Sequence, residues 1–283
     1  MTVHSCMPEF LWTSDCHLDH ASPDARAAFR ARLVGHAATP LLLTGDSSIA
    51  ETLVSDLEFL ADAVHGPLYF VLGNHDHYGS SIAAVRDAVL ELGGRRPGVH
   101  WLPPAGPVLL DETTALVGVD GWADGRAGDP LTTPLVLNDD RLIAEIAAQT
   151  GRPAKLAVKR ALADADAARL KVLLERAVAA SATTILIATH VPPFVEALPR
   201  TGRLSHPHWQ PLLVCAATGQ VIRQFAGDHP DRNFMILCGH THAATDVTVM
   251  PNLQCRVMGA RYGEPRLLVP FIVFNPDSSC ASS

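Results

Sequence analysis

Five short stretches of the chain hold residue types that bind metals or move protons. "SDCH" brings Asp15, Cys16 and His17 together, and "TGD" carries Asp46. "GNHD" carries Asn74, His75 and Asp76, "ATH" carries His190, and "GHTH" carries His240 and His242. Carboxylates, imidazoles and thiolates are metal ligands, and imidazole also exchanges protons near neutral pH. Taken singly, each stretch has an ordinary explanation. An Asp after Gly is commonly a turn or a helix cap, and "GNHD" suits a turn because Gly and Asn tolerate positive φ. Asp15 and His17 follow an apolar run, so strand alternation predicts that they face one way and Cys16 the other. On that reading Cys16 faces the core and is not a ligand.

The apolar runs that precede these residues give them a common position. "EFLW" (9–12), "PLLL" (40–43), "PLYFVL" (67–72), "TALVGV" (114–119), "TTILIA" (183–188) and "NFMILC" (233–238) read as buried strands. Five of the six are followed directly by the residues named above. Helical spacing falls between the first three runs and after the third, as at Leu53, Leu57 and Leu60. This alternation predicts an α/β protein, whose ligand site lies beyond the carboxyl ends of its strands. Ligands far apart in sequence would meet there. Mixed imidazole and carboxylate donors suit Mn, Fe or Zn better than Mg or Ca.

The middle of the chain differs. Residues 121–134, "GWADGRAGDPLTTP", read as a loop, with helices to follow at about 138–149 and 155–180. The block 121–180 is expected to be an insertion beside the core. Residues 192–212 look irregular, and 276–283 a disordered tail behind a single domain spanning 1–275.

With 283 residues, 48% hydrophobic and 18% charged, the composition is that of a soluble globular chain. The formal net charge of −7 argues against a non-specific nucleic-acid binder. The six cysteines include no C-x-x-C pair and read as reduced thiols of a cytoplasmic protein. There is neither a signal-peptide pattern nor an apolar run long enough to span a membrane.

In this order, "DCH", "GD", "GNHD", "TH" and "GHTH" resemble the calcineurin-like metallophosphoesterase family, over Asp15 to His242. The resemblance implies a four-layer α/β/β/α sandwich with two central mixed sheets. It implies two divalent ions per chain, roughly 3.5–4 Å apart. Asp15, His17 and His242 would hold one, Asn74, His190 and His240 the other, and Asp46 would bridge them. The implied activity is phosphoester hydrolysis, as a phosphodiesterase or phosphatase, by a hydroxide held between the ions. His75 would donate the proton to the leaving group, with Asp76 beside it in the catalytic motif. A small phosphate ester would be the substrate.

Two departures lean away from the serine/threonine phosphatases and toward the diesterase-like branches. Ile49 stands where those enzymes carry an Asp that holds the motif histidine, and Leu72 where they carry an Arg. Arg126 in "DGWADGR" is the candidate substrate cation. "HPHW" (206–209) is a weaker candidate for a third metal site. A non-catalytic scaffold and a nuclease of the same fold are the alternatives.

Overall fold

The computed structural model describes residues 9–272, so the expected tail at 276–283 lies outside the described residues. Eleven strands form two sheets among the described residues. The first contains β1 (Glu9–Thr13), β2 (Leu41–Thr44), β3 (Leu68–Val71) and β4 (Val99–Trp101), all parallel, with β11 (Leu268–Ile272) antiparallel beside β1. The second runs in the order β5 (Val108–Leu109), β6 (Thr114–Gly118), β7 (Thr184–Ala188), β8 (Asn233–Cys238), β10 (Leu253–Val257) and β9 (Thr245–Met250). Its inner four strands are parallel, and its edges β5 and β9 are antiparallel.

Side-chain alternation builds the layers. Phe10, Trp12, Leu42 and Val71 from the first sheet meet Leu116, Leu186, Met235 and Leu237 from the second in a buried inter-sheet core. Their strand neighbours point outward. Leu11, Leu41, Leu43, Leu68 and Phe70 pack under α1 (Pro23–Val34), α2 (Leu53–Ala61) and α3 (Ile82–Arg95). Val117, Ile185, Ile187, Phe234 and Ile236 are covered by the two long helices of the second half of the chain. A strand buried on both faces reads as a continuous apolar run, which is why these strands stand out in the sequence. The result is the α/β/β/α sandwich.

Four single turns intervene: α4 (Leu102–Ala105), α5 (Asp139–Leu142), α6 (Ala144–Ala147) and α8 (Gln210–Leu213). The two long helices are α7 (Arg152–Ala179) and α9 (Ala216–Asp228). The segment 121–180 is not wholly an insertion. Parallel neighbours such as β6 and β7 need a crossover, and α7 supplies it. Leu170, Leu173, Leu174 and Ala177 of its C-terminal half belong to the outer core. The N-terminal half of α7 instead shares an apolar cluster with the stretch before it, Val158, Leu162 and Ala163 with Trp122, Ile143 and Ile146.

Cys16 is fully buried in the outer core, its Sγ 3.0 Å from Thr13 Oγ1. Burial pushes its thiol up to about 12, and it is not among the residues whose ligand atoms gather within reach of one another. Cys16→Ser is therefore expected to keep the full metal content and lose about 1–3 kcal/mol of stability. Elemental analysis showing a missing ion in that variant would contradict this placement.

Candidate metal centre

The strand ends of both sheets converge on one point. Asp15 and His17 follow β1, Asp46 follows β2, and Asn74 follows β3, while His190 follows β7 and His240 and His242 follow β8. Strand alternation is not what aligns Asp15 with His17. β1 ends at Thr13, and both residues adopt left-handed backbone, with φ of 50° and 40°. Asp46, His240 and His242 do the same, at 51°, 67° and 57°. Such conformations cost roughly 1–3 kcal/mol each for residues with a side chain, and they gather where function requires a particular aim. Asp and His tolerate them better than most residues.

The loops hold each other in place. The backbone N–H groups of Asp15, His17 and Leu18 donate to the carbonyls of Gly45, Asp46 and Ser47, extending the contact of β1 and β2 past the strand ends. Two motif glycines exist for room: a Cβ on Gly73 would lie 2.1 Å from Asp46 Oδ1, and one on Gly239 2.0 Å from Asp15 Oδ2. Asp76 is fully buried and accepts the N–H groups of Asp46, Ser47, Ser48 and Gly73 at 2.8–3.1 Å. Its expected catalytic place is therefore revised. With both oxygens engaged by backbone, Asp76 fastens the loop after β2 to the loop after β3 and faces no substrate. Burial, and then the charge of Asp46, push its carboxyl up to about 8, while the four N–H donors favour the carboxylate.

Two donor groups share one carboxylate. Asp15, His17, Asp46 and His242 present ligand atoms all within 4.8 Å of one another, as do Asp46, His190 and His240. Asp46 Oδ1 accepts the backbone N–H of His75 at 2.8 Å. Asp46 Oδ2 lies 3.3 Å from His190 Nε2 and 3.8 Å from His17 Nε2. One oxygen thus stands between the two groups. Asn74 Oδ1 joins the second group, 3.1 Å from both His190 Nε2 and His240 Nδ1.

Backbone carbonyls select the ring nitrogens. His190 Nδ1 faces the carbonyl of Thr44 at 2.9 Å, leaving Nε2 for the centre. His240 Nε2 faces the carbonyl of Leu212 at 3.0 Å, leaving Nδ1. Fixing one nitrogen to a carbonyl is how a ligating imidazole is oriented. His17 Nε2 and His242 Nε2 lie 3.1 Å apart beside Asp15 and Asp46, and His17 Nδ1 is buried with no partner among the described residues. Burial opposes a charged His190, yet Asp46 and Asp15 hold its pKa up to about 10. Buried nitrogens facing each other across carboxylates are the donor set a cation would complete, so these residues fit divalent ions.

A cavity of about 330 Å³ opens over the centre, with Asp46, Asn74, His240 and His242 in its lining. His75 lies in its wall, its ring 4.2 Å from that of Tyr78 and 4.6 Å from that of His17. Ile49 packs into the apolar cluster that includes Tyr78, so no carboxylate comes from that position. Arg126 does not line the cavity, and its guanidinium is paired with Asp124 at 2.9 Å and Asp164 at 2.8 Å. The cation in the lining is Arg203, set over the Trp209 ring at 4.7 Å. His206 and His208 have their rings 4.6 Å apart, and neither belongs to the donor groups.

Three features of the site escaped the sequence reading, two in the cavity wall and one buried behind it. Arg203 lay in the stretch taken as irregular. Tyr262 follows β10 and sets its ring 4.4 Å from His17 and 5.0 Å from His242. Asp139 accepts from both Asn74 Nδ2 and Tyr78 OH. Recognising β10 as another strand of the parallel set would have directed attention to the residues after it, Tyr262 among them.

The two-sheet sandwich, with its site at the strand ends, is the fold of the calcineurin-like phosphoesterases. Among solved structures, the chain is similar to phosphopantetheinyl hydrolase (PptH) from Mycobacterium tuberculosis, with 16% identity and a TM-score of 0.62. That match covers 95% of this chain and 99% of the other. It is also similar to a dimetal phosphatase from Danio rerio, with 11% identity and a TM-score of 0.55, over 89% of this chain and 88% of that one. No family model and no curated protein sequence matches the chain. Among the described residues no helix is long and apolar enough to cross a membrane.

Proposed function

We propose that the chain is a dinuclear metal hydrolase of small phosphate esters, organised as one domain. The observation that carries this reading is Asp46 Oδ2, one buried carboxylate oxygen shared between two imidazole-bearing donor groups. Asp15, His17 and His242 would hold one ion and Asn74, His190 and His240 the other. Mn, Fe or Zn would suit them. Bound there, the ions would supply Lewis acidity toward phosphoryl oxygens and a water acidified to near neutral pH. The protein's own groups do the rest. Arg203 receives an anionic ester oxygen, Tyr262 and Trp209 wall the leaving group, and His75 gives a proton to the leaving oxygen. The similarity to a dimetal phosphatase and to a phosphopantetheinyl hydrolase supports phosphoester chemistry in general. The four described cysteines are free and buried, which suits the cytoplasm.

The complete set of seven donors weighs against a non-catalytic scaffold. A nuclease is weighed down by the net charge of −7 and by a cavity with Arg203 as its single Lys or Arg among the described residues. The test is protein stripped of metal and reloaded with Mn²⁺, assayed on p-nitrophenyl phosphate and bis-p-nitrophenyl phosphate. Two ions per chain and chelator-sensitive hydrolysis are expected, and failure to bind two ions or to cleave either ester would refute the reading. Within that assay Arg203→Ala should raise KM about 10-fold or more at unchanged ion content, since a hydrogen bond to a charged group contributes roughly 1.5–3 kcal/mol. Arg126→Ala should leave KM alone. The reverse pattern would return the substrate role to Arg126.

A further inference from the structure

Asn74 is the one amide among the proposed ligands, and an amide has two ends of similar shape. Only its oxygen can ligate. The surroundings decide which end faces the centre. Asn74 Nδ2 donates to Asp139 Oδ1 at 2.8 Å and to Tyr78 OH at 2.9 Å. Tyr78 OH in turn donates to Asp139 Oδ1 at 2.7 Å. The single hydroxyl proton is therefore committed to Asp139, and the hydroxyl meets Asn74 as an acceptor. Rotating the carboxamide would bring its oxygen against a carboxylate and a hydroxyl lone pair. All three residues are buried, so no bulk water would relieve that repulsion.

Asp139 itself is held from both sides. The segment carrying α5 and α6 is pinned to the loop after β3: Gly79 N donates to the carbonyl of Leu142 at 2.9 Å, and Ala144 N to that of Ser80 at 3.0 Å. Glu145 also accepts the Ile82 N–H at 2.9 Å, at the first turn of α3. Leu137 and Asn138, next to Asp139, line the cavity. A segment that shapes the substrate space thus reaches the metal ligand through one carboxylate.

We infer that Asp139, with Tyr78, is a positioning residue for one ion of the pair, locking the Asn74 carboxamide with its oxygen toward His190 and His240. This rests on the two-ion reading above. Residues behind metal ligands typically cost 10–100-fold in metal affinity when removed. Asp139→Leu should therefore weaken one Mn²⁺ step by about 10–100-fold and leave the other unchanged. Asp139→Asn keeps an accepting oxygen and should stay within a few-fold of the wild type.

The experiment is calorimetric titration of the metal-free full-length protein with Mn²⁺, wild type beside each variant. The weakened step should be the one that His240→Ala also loses. A Leu variant with two wild-type steps would overturn the inference, and so would equal weakening of both steps, the mark of general loosening. Should Asp139→Leu not fold, Tyr78→Phe carries the test. It removes one amide partner at nearly constant volume and should weaken the same step about 3–10-fold, and an unchanged titration would overturn the inference. Fewer than two steps in the wild type would overturn the two-ion reading and this inference with it.

Discussion

Asp46→Asn is expected to empty both ion sites together and to cut turnover by at least about 10²–10³-fold, the scale for removing one electrostatic stabiliser from an active site. The two oxygens of Asp46 have different tasks. Oδ1 accepts the His75 backbone N–H at 2.8 Å, and Oδ2 stands between His17 and His190. An asparagine is obliged to keep its oxygen on the His75 N–H, because an NH₂ there would face another donor. Its NH₂ then occupies the Oδ2 position and points hydrogens at two imidazoles. That end has no lone pair for a metal and no charge to attract one. His17→Ala, by contrast, removes a donor from one group only. Elemental analysis of the two variants separates the cases, with neither ion retained in Asp46→Asn and one retained in His17→Ala. Two ions and near-normal turnover in Asp46→Asn would disprove the shared-oxygen assignment.

The parts of the molecule that were legible in the sequence are those buried on both sides. The six apolar runs all correspond to strands, β1, β2, β3, β6, β7 and β8, because a central strand between helices and a second sheet has no polar face. Edge strands have one. The edge strand β9 (TDVTVM) has no fully buried position, and β10 (LQCRV), the inner strand beside it, alternates buried with half-buried residues, so neither makes an apolar run. The proposed ligands were visible because each follows a legible strand. Asp139 was not, since it reaches Asn74 across 65 residues and follows no strand. The choice between Arg126 and Arg203 was hidden for a related reason. Whether a guanidinium is free for a substrate depends on which acids fold against it, and Asp164 meets Arg126 from the middle of α7. The alternation argument for Asp15 and His17 reached a correct convergence by a wrong route. Left-handed backbone, not strand pleat, turns both side chains to the centre.

His75→Ala is expected to slow alkyl phosphate esters by about 10²–10⁴-fold, the usual contribution of a general acid, while leaving p-nitrophenyl esters nearly untouched. The difference follows from the leaving oxygen. A p-nitrophenolate is stable as an anion and departs unaided, whereas an alkoxide departs only as it gains a proton. In the proposed mechanism His75 would offer that proton without being a ligand. Its backbone N–H is fixed on Asp46, its ring is held between Tyr78 and His17, and it lies in the cavity wall, outside the two donor groups. Ile49 supplies no carboxylate behind it, and ring contacts with Tyr78, His17 and Tyr262 set its aim. The variant should therefore keep both ions, as the backbone bond to Asp46 survives the loss of the ring. Equal rate losses on the two ester classes would make His75 a phosphate-binding donor and reject the proton transfer. A lost ion would show that the ring also supports His17. Loss confined to the alkyl esters, at full ion content, is the outcome this geometry requires.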